Sequence, residues 1–119
     1  MASVAVIGAS SAHHKYGNKA VRAYLRQGWT VYPVNPTEKT IEGLTVYPTI
    51  GDIPGKVDRV SMYVPPSIGI TLLEAIKAKG AAELFLNPGS ESDALVDRAT
   101  ALGLDPIQAC SIVDIGERP

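Results

Sequence analysis

Four short stretches of small or turn-forming residues each follow directly on an apolar run. The first is Gly8-Ala9-Ser10-Ser11-Ala12-His13-His14-Lys15-Tyr16-Gly17. Gly8 permits a tight turn, the small residues let backbone N–H groups approach an anion, and the Ser10 and Ser11 hydroxyls add donors. A helix starting after this loop contributes its positive end. The loop therefore suits a phosphate or pyrophosphate, although an ordinary strand–helix connection uses the same small residues. It is not G-x-G-x-x-G, since the next glycine is Gly17, nine residues after Gly8. Nor is it a Walker A loop, since no Gly-Lys-Ser/Thr follows. The second stretch, Val34-Asn35-Pro36-Thr37, has no acid at the end of its run, where dinucleotide-binding domains place one for the ribose. An uncharged end beside Lys39 fits an adenosine whose ribose carries a phosphate; Asn-Pro is also a common turn starter. The third, Val64-Pro65-Pro66, offers an apolar ledge without N–H donors, against which adenine could lie, and proline also starts helices. The fourth, Asn87-Pro88-Gly89-Ser90, is again small and turn-forming before a helix.

No acid–base pair, nucleophile–base pair or metal set stands out. His13 and His14 are adjacent, which is poor spacing for one metal. The acids Glu38, Glu42, Asp52 and Asp58 are unpaired, and Asp52 and Asp58 suit turn caps. Cys110 is the single cysteine, so neither an internal disulfide nor a cysteine-based metal site is expected. Lys plus Arg is 11 against 12 Asp plus Glu, a net charge of −1, so no global field attracts nucleic acid or an acidic membrane. The tyrosines are scattered, without the aromatic–basic interleaving of a nucleic-acid reader.

The elements that would carry these loops are short apolar runs alternating with amphipathic stretches. Val4-Ala5-Val6-Ile7 reads as a strand buried on both faces. Residues 18 to 27 read as a helix stopped by Gly28, and Thr30-Val31-Tyr32-Pro33-Val34 as a second strand. Residues 36 to 57 are irregular, with Thr45-Val46-Tyr47 able to form a short extra strand and a turn or one short helical turn between prolines. Residues 59 to 64 form a third strand, 67 to 79 a helix, 83 to 86 a fourth strand. A helix capped by Ser90 or Ser92 runs to Leu102, and 106 to 109 form the last strand. The tail to Pro119 gives no signal. At 119 residues, 45% apolar and 19% charged, one domain over 1–119 is expected. The pattern implies an α/β fold of three layers, Rossmann-like, with an open parallel five-stranded sheet in the order 3-2-1-4-5; the order 2-1-3-4-5 is the alternative. A ligand site then lies beyond the carboxyl ends of the strands at the switch point. With no run approaching ~18 apolar residues and no basic n-region before Val4, a cytoplasmic protein is expected.

Taken in order and spacing, Val6-Ile7-Gly8-Ala9-Ser10, Tyr32-Pro33-Val34-Asn35-Pro36, Ile41-Glu42-Gly43, Ile53-Pro54, Val57-Asp58, Val64-Pro65-Pro66, Asn87-Pro88-Gly89 and the late Cys110 resemble the CoA-binding domain family, over residues 3 to 113. This family includes the N-terminal part of the succinyl-CoA ligase α subunit. The resemblance implies coenzyme A as the cofactor. It implies that Gly8, Ala9, Ser10, Ser11, Lys15, Tyr16 and Gly17 belong to the loop holding the phosphates. Asn35 and Pro36 approach the ribose, Lys39 serves the 3′-phosphate, Val64, Pro65 and Pro66 border adenine, and Asn87, Pro88 and Gly89 follow the pantetheine. The first loop is longer than the ligase subunit's, and the double proline is of the ligase-like kind.

The function expected is non-catalytic binding of coenzyme A or an acyl-CoA, with no nucleic-acid or membrane partner and with any protein partner or homo-oligomer unassigned. A nucleotide-dependent oxidoreductase or transferase on the same fold is the alternative. Cys110 is expected two strand places from the first strand, ~10 Å away at ~4.8 Å per strand. A free cysteine is most often a small buried hydrophobe, while this position leaves a mixed disulfide with the coenzyme thiol geometrically open.

Overall fold

The computed structural model describes residues 2–119. In chain order the elements are β1 (Ser3–Ile7), α1 (Tyr16–Arg26), β2 (Thr30–Val34), the hairpin strands β3 (Thr40–Ile41) and β4 (Leu44–Thr45), and β5 (Arg59–Met62). There follow α2 (Pro66–Gly69), α3 (Leu73–Lys79), β6 (Glu83–Leu86), α4 (Asp93–Ala101), β7 (Pro106–Gln108) and α5 (Ser111–Asp114). Five strands form one sheet in the order β2-β1-β5-β6-β7, all pairs parallel.

All five residues of β1 are buried, as an apolar strand in the middle of a parallel sheet requires. Its side chains alternate. Ala5 and Ile7 enter a core with Leu73, Ile76, Leu95 and Ala99 from α3 and α4. Val4 and Val6 enter a second core with Ala20, Val21 and Tyr24 from α1 and Ile112 from α5. The period-2 geometry of one strand thus defines helical layers on both faces. Beyond β2, Tyr47 makes a single parallel bridge to Val34. Counted as a strand, it takes the third place, and the expected 3-2-1-4-5 order is present with one strand more; the five paired strands without it read 2-1-3-4-5. The segment 59–62, third in the sequence count, lies beside β1 and is fourth. The last strand is then a sixth place, three steps from β1 rather than two.

Other differences are local. The helix expected over 67–79 is interrupted by a 3-10 turn at Ile70–Leu72. There the Thr71 hydroxyl donates to the Ile68 carbonyl at 2.6 Å, a local bond that competes with regular α-helical geometry. The irregular stretch contains the β3–β4 hairpin, turned by Glu42 and Gly43 at φ of 51° and 76°. It also holds one 3-10 turn, Ile50–Asp52, where Asp52 accepts from Thr49 in a capping box. Asp58 accepts from the Ser3 N–H and hydroxyl, tying β1 to the start of β5.

At the amino edge of the sheet, Arg59 is 7% exposed. Glu83 takes it bidentately at 3.0 and 3.1 Å, and Asp114 at 2.9 Å. Its guanidinium lies over Trp29 and Phe85, 5.0 and 4.4 Å from the ring centroids. Burial opposes its charge, but hydrogen bonds to Glu83, Tyr24 and Asp114 prevail and raise its pKa. The Arg59–Asp114 pair also anchors the end of α5, an element too short for the sequence to announce.

Candidate functional site

The carboxyl ends of β1, β2, β5, β6 and β7 open onto one cleft of about 950 Å³, within the size range of small-molecule sites. One wall comes from the β1–α1 loop. Gly8 turns out of β1 at φ 88° with its amide donating to the Val34 carbonyl at 3.1 Å. A Cβ on Gly17 would lie 2.2 Å from the Gly8 carbonyl oxygen, so α1 can cross this close to β1 only with glycine there. Gly17 thereby serves the close helix–strand packing that a later glycine serves in dinucleotide-binding loops. No side chain caps α1, and no acid lies in its first turn. The Asn18 and Lys19 N–H groups close on the Lys15 carbonyl at 3.1 and 3.0 Å, which leaves the Tyr16 and Gly17 amides as the donors without a helical partner, and both residues line the cleft with Lys15.

The loop is braced from behind by Asn18, which is fully buried. Its Nδ2 donates to the Ser10 carbonyl at 2.9 Å and to Glu42 at 3.1 Å, and its Oδ1 accepts from Arg22 at 2.7 Å. The sequence reading missed Asn18. The available signal was a polar residue on the apolar face of α1, between Gly17 and Ala20.

The turn after β2 is built around Asn35. Its Oδ1 accepts from Thr37 N–H at 2.9 Å and Glu38 N–H at 3.0 Å, while Nδ2 donates to the Ala9 carbonyl at 2.9 Å. This turn swings Glu38 back to the strand end. Glu38 Oε2 accepts from the Ser11 N–H at 3.1 Å and lies 3.4 Å from Asn35 Nδ2. The absence of an acid at the end of β2, as read from the sequence, is therefore corrected. The acid is Glu38, four residues on from Val34, and it lines the cleft.

The opposite wall is a buried, uncharged network. Asn87, 1% exposed, donates to Ser61 Oγ at 3.1 Å and the Met62 carbonyl at 2.8 Å, and accepts from Ser111 N–H at 2.9 Å. The Ser61 and Ser111 hydroxyls lie 2.6 Å apart, and Tyr63 Oη is 3.5 Å from Ser111 Oγ. Burial pushes the Tyr63 phenol up to about 12, against the opposing effect of its hydroxyl neighbours. It faces the cleft as a neutral group. Ser90 Oγ donates to the Val64 carbonyl at 2.7 Å, holding the β6 turn against the ledge of Val64 and Pro65.

Of the residues singled out from sequence, Gly8, Ala9 and Ser10 meet at this cleft with Lys15, Tyr16 and Gly17. Asn35, Val64 and Pro65 join them, as do Asn87, Pro88 and Gly89. Ser11, Pro36, Lys39 and Pro66 do not line it. Lys39 and Pro36 are exposed, Ser11 turns only its amide inward to Glu38, and Pro66 takes the first position of α2. His14, Glu38, Tyr63, Cys110 and Val113 line the cleft in addition. Among the described residues no three His, Cys, Asp or Glu side chains group as a metal site, and no helix is long and apolar enough to cross a membrane.

The family model of the CoA binding domain matches residues 2–116. The chain belongs to this family. Among curated proteins, it is 40% identical over 75 residues to the α subunit of ADP-forming acetate–CoA ligase II from Pyrococcus furiosus, a match over 60% of this chain and 16% of that subunit. The chain therefore spans under a fifth of this relative's length. Among solved structures, a conserved hypothetical protein from Pyrococcus furiosus superposes with a TM-score of 0.88 at 31% identity, covering 96% of this chain and 99% of that one. The dinucleotide-forming acetyl-coenzyme A synthetase 1 of Ca. Korarchaeum cryptofilum, in complex with phosphate and ADP, gives 0.80 at 30% identity, covering 91% of this chain and 25% of that one. The fold thus spans nearly all of one solved chain and a quarter of another.

Proposed function

We propose that this CoA binding domain holds coenzyme A or an acyl-CoA without transforming it, with the pyrophosphate at the β1–α1 loop. The observation carrying the reading is the uncapped N-terminus of α1, with Lys15 beside it, facing the cleft of a chain in this family. Backbone N–H groups and a lysine are the donors a pyrophosphate needs, since helix N-termini favour anions by charge and by geometry. In this arrangement Gly8, Ala9 and Ser10 border the phosphates with Lys15, Tyr16 and Gly17. The turn at Asn35 approaches the ribose, Val64 and Pro65 lie against adenine, and Asn87, Pro88 and Gly89 follow the pantetheine. When bound, the coenzyme supplies a thiol for acyl groups. The chain's own residues bind and orient it. A non-catalytic role agrees with the far wall, whose amide and hydroxyl groups hydrogen-bond to one another rather than forming an acid–base pair.

Calorimetry with coenzyme A tests this. One molecule is expected to bind per chain, and Lys15→Glu is expected to weaken binding roughly tenfold or more, because it replaces a favourable charge at the helix terminus by a repulsive one. Lys15 is exposed, so the variant's melting temperature should match the wild type. Undiminished affinity in Lys15→Glu would overturn the pyrophosphate placement, and no binding by the wild type would overturn the coenzyme reading.

A further inference from the structure

We infer that Glu38 is a specificity-determining residue of this cleft, selecting an adenine nucleotide whose ribose keeps free hydroxyls over one bearing a 3′-phosphate. The inference rests on the coenzyme reading above and adds to it a relative preference, among forms of the coenzyme, for the one without the 3′-phosphate. Its basis is the position of one carboxylate. The Asn35 turn returns Glu38 to the carboxyl end of β2, the place where an acid accepts the ribose 2′-hydroxyl in dinucleotide-binding sheets, next to the position a 3′-phosphate would take. Oε2 is held by the Ser11 N–H at 3.1 Å and lies within 3.4 Å of the Asn35 amide. Oε1 has no hydrogen-bond partner among the described residues, and Glu38 lines the cleft. A carboxylate with one oxygen anchored and the other open is an oriented acceptor, and a hydroxyl satisfies it. A 3′-phosphate beside that hydroxyl is mostly dianionic at neutral pH and sets further negative charge against the carboxylate.

The cations nearby do not offset that charge. Lys15 lies at the α1 terminus, beside the proposed pyrophosphate, and His14 belongs to the same loop. Lys39 follows Glu38 in sequence but is exposed and does not line the cleft. The turn after β2 therefore faces the cleft with a carboxylate where a 3′-phosphate needs a cation.

The test compares coenzyme A with dephospho-CoA, titrated into wild type and Glu38→Gln at low salt. Glutamine keeps a carbonyl oxygen for the Ser11 N–H and removes the charge. The wild type is expected to bind dephospho-CoA more tightly. In Glu38→Gln the preference should move toward coenzyme A by roughly fivefold, the size of one solvent-screened like-charge contact. A preference that is unchanged, or that moves toward dephospho-CoA, overturns the inference while leaving the coenzyme reading intact. Should Glu38→Gln fail to fold, the wild-type ratio decides alone: tighter binding of coenzyme A than of dephospho-CoA overturns the role of Glu38. Failure of both ligands to bind the wild type overturns the coenzyme reading on which the inference stands.

Discussion

Two parallel strands of this sheet end in the same dipeptide, and the two turns build opposite kinds of wall. At Asn35-Pro36 the amide oxygen closes a local turn, accepting from residues two and three positions ahead, the nitrogen donates across to the Ala9 carbonyl, and the side chain stays half-buried. At Asn87-Pro88 the amide reaches across the sheet to Ser61, Met62 and Ser111, each 24 to 26 residues away, with 1% of the residue exposed. A local, partly hydrated turn can carry a charged residue such as Glu38 at low cost. A buried, long-range clamp tolerates only neutral partners, because an unpaired charge there would lose its hydration without compensation. One half of the cleft can therefore vary its ligand preference, while the other half is part of what holds the fold together.

The largest effect expected from this contrast is on stability. Asn87→Ala leaves the buried Ser111 N–H without its acceptor and Ser61 without a donor. At ~1–3 kcal/mol for each buried group left unsatisfied, the loss should be about 3 kcal/mol. Asn35→Ala leaves the exposed Thr37 N–H to water and frees the part-buried Glu38 N–H and Ala9 carbonyl, and should cost about 1–2 kcal/mol, less than Asn87→Ala. Denaturant midpoints of the two variants check this, and equal losses would break the distinction between the walls.

A smaller effect concerns Tyr63 on the buried wall. Its pKa is raised from the ordinary 10 to about 12 by burial. Below pH 10 the phenol is protonated in folded and unfolded chains alike, so its contribution to stability is constant. Between pH 10 and 12 the unfolded chain ionises first, binds fewer protons and gains stability relative to the folded one. Folding free energy should thus fall as pH rises through this window, by about 1.4 kcal/mol at pH 11. Tyr63→Phe should remove that part of the alkaline slope. An unchanged slope between pH 9 and 11 would show the phenol to be as well hydrated as an exposed one.

What the sequence made legible follows from the same physics. The interior strands were readable because a strand buried on both faces must be continuously apolar, as Val4 to Ile7 are. Ser92 was readable as a cap, and it accepts the Leu95 N–H at 3.1 Å. The third strand place was hard to read because Tyr47 fills it with one bridge, too little for a periodic pattern. α5 was not readable because four residues carry no period, and what fixes it lies elsewhere in the chain, at Asn87 and Arg59. Glu38 is not legible at the strand end because it reaches the cleft only through the Asn35 turn, of which it is the fourth residue. Lys39, one residue further on, drew attention by its charge, yet the same turn leaves it outside the cleft.

The smallest effect is a change in the reactivity of one thiol, and it asks whether a ligand spans both walls. Cys110 is half-buried, lines the cleft and starts the segment leading into α5. It belongs to the β7 end, three strand steps from β1, or ~14 Å at ~4.8 Å per step. As the single cysteine it reports on that end without interference from any other. A ligand confined to the β1–β2 side, such as ADP, should leave its alkylation rate by iodoacetamide unchanged. Coenzyme A, whose pantetheine arm extends from the pyrophosphate toward the buried wall, should slow the alkylation severalfold at saturation. The rate is read by intact mass, with unfolded protein giving the unprotected limit. Equal protection by ADP and coenzyme A would mean that Cys110 responds to closure of the α1 side alone. No protection by either would place the pantetheine outside the cleft and leave the neutral network of Ser61, Asn87 and Ser111 with a purely structural task.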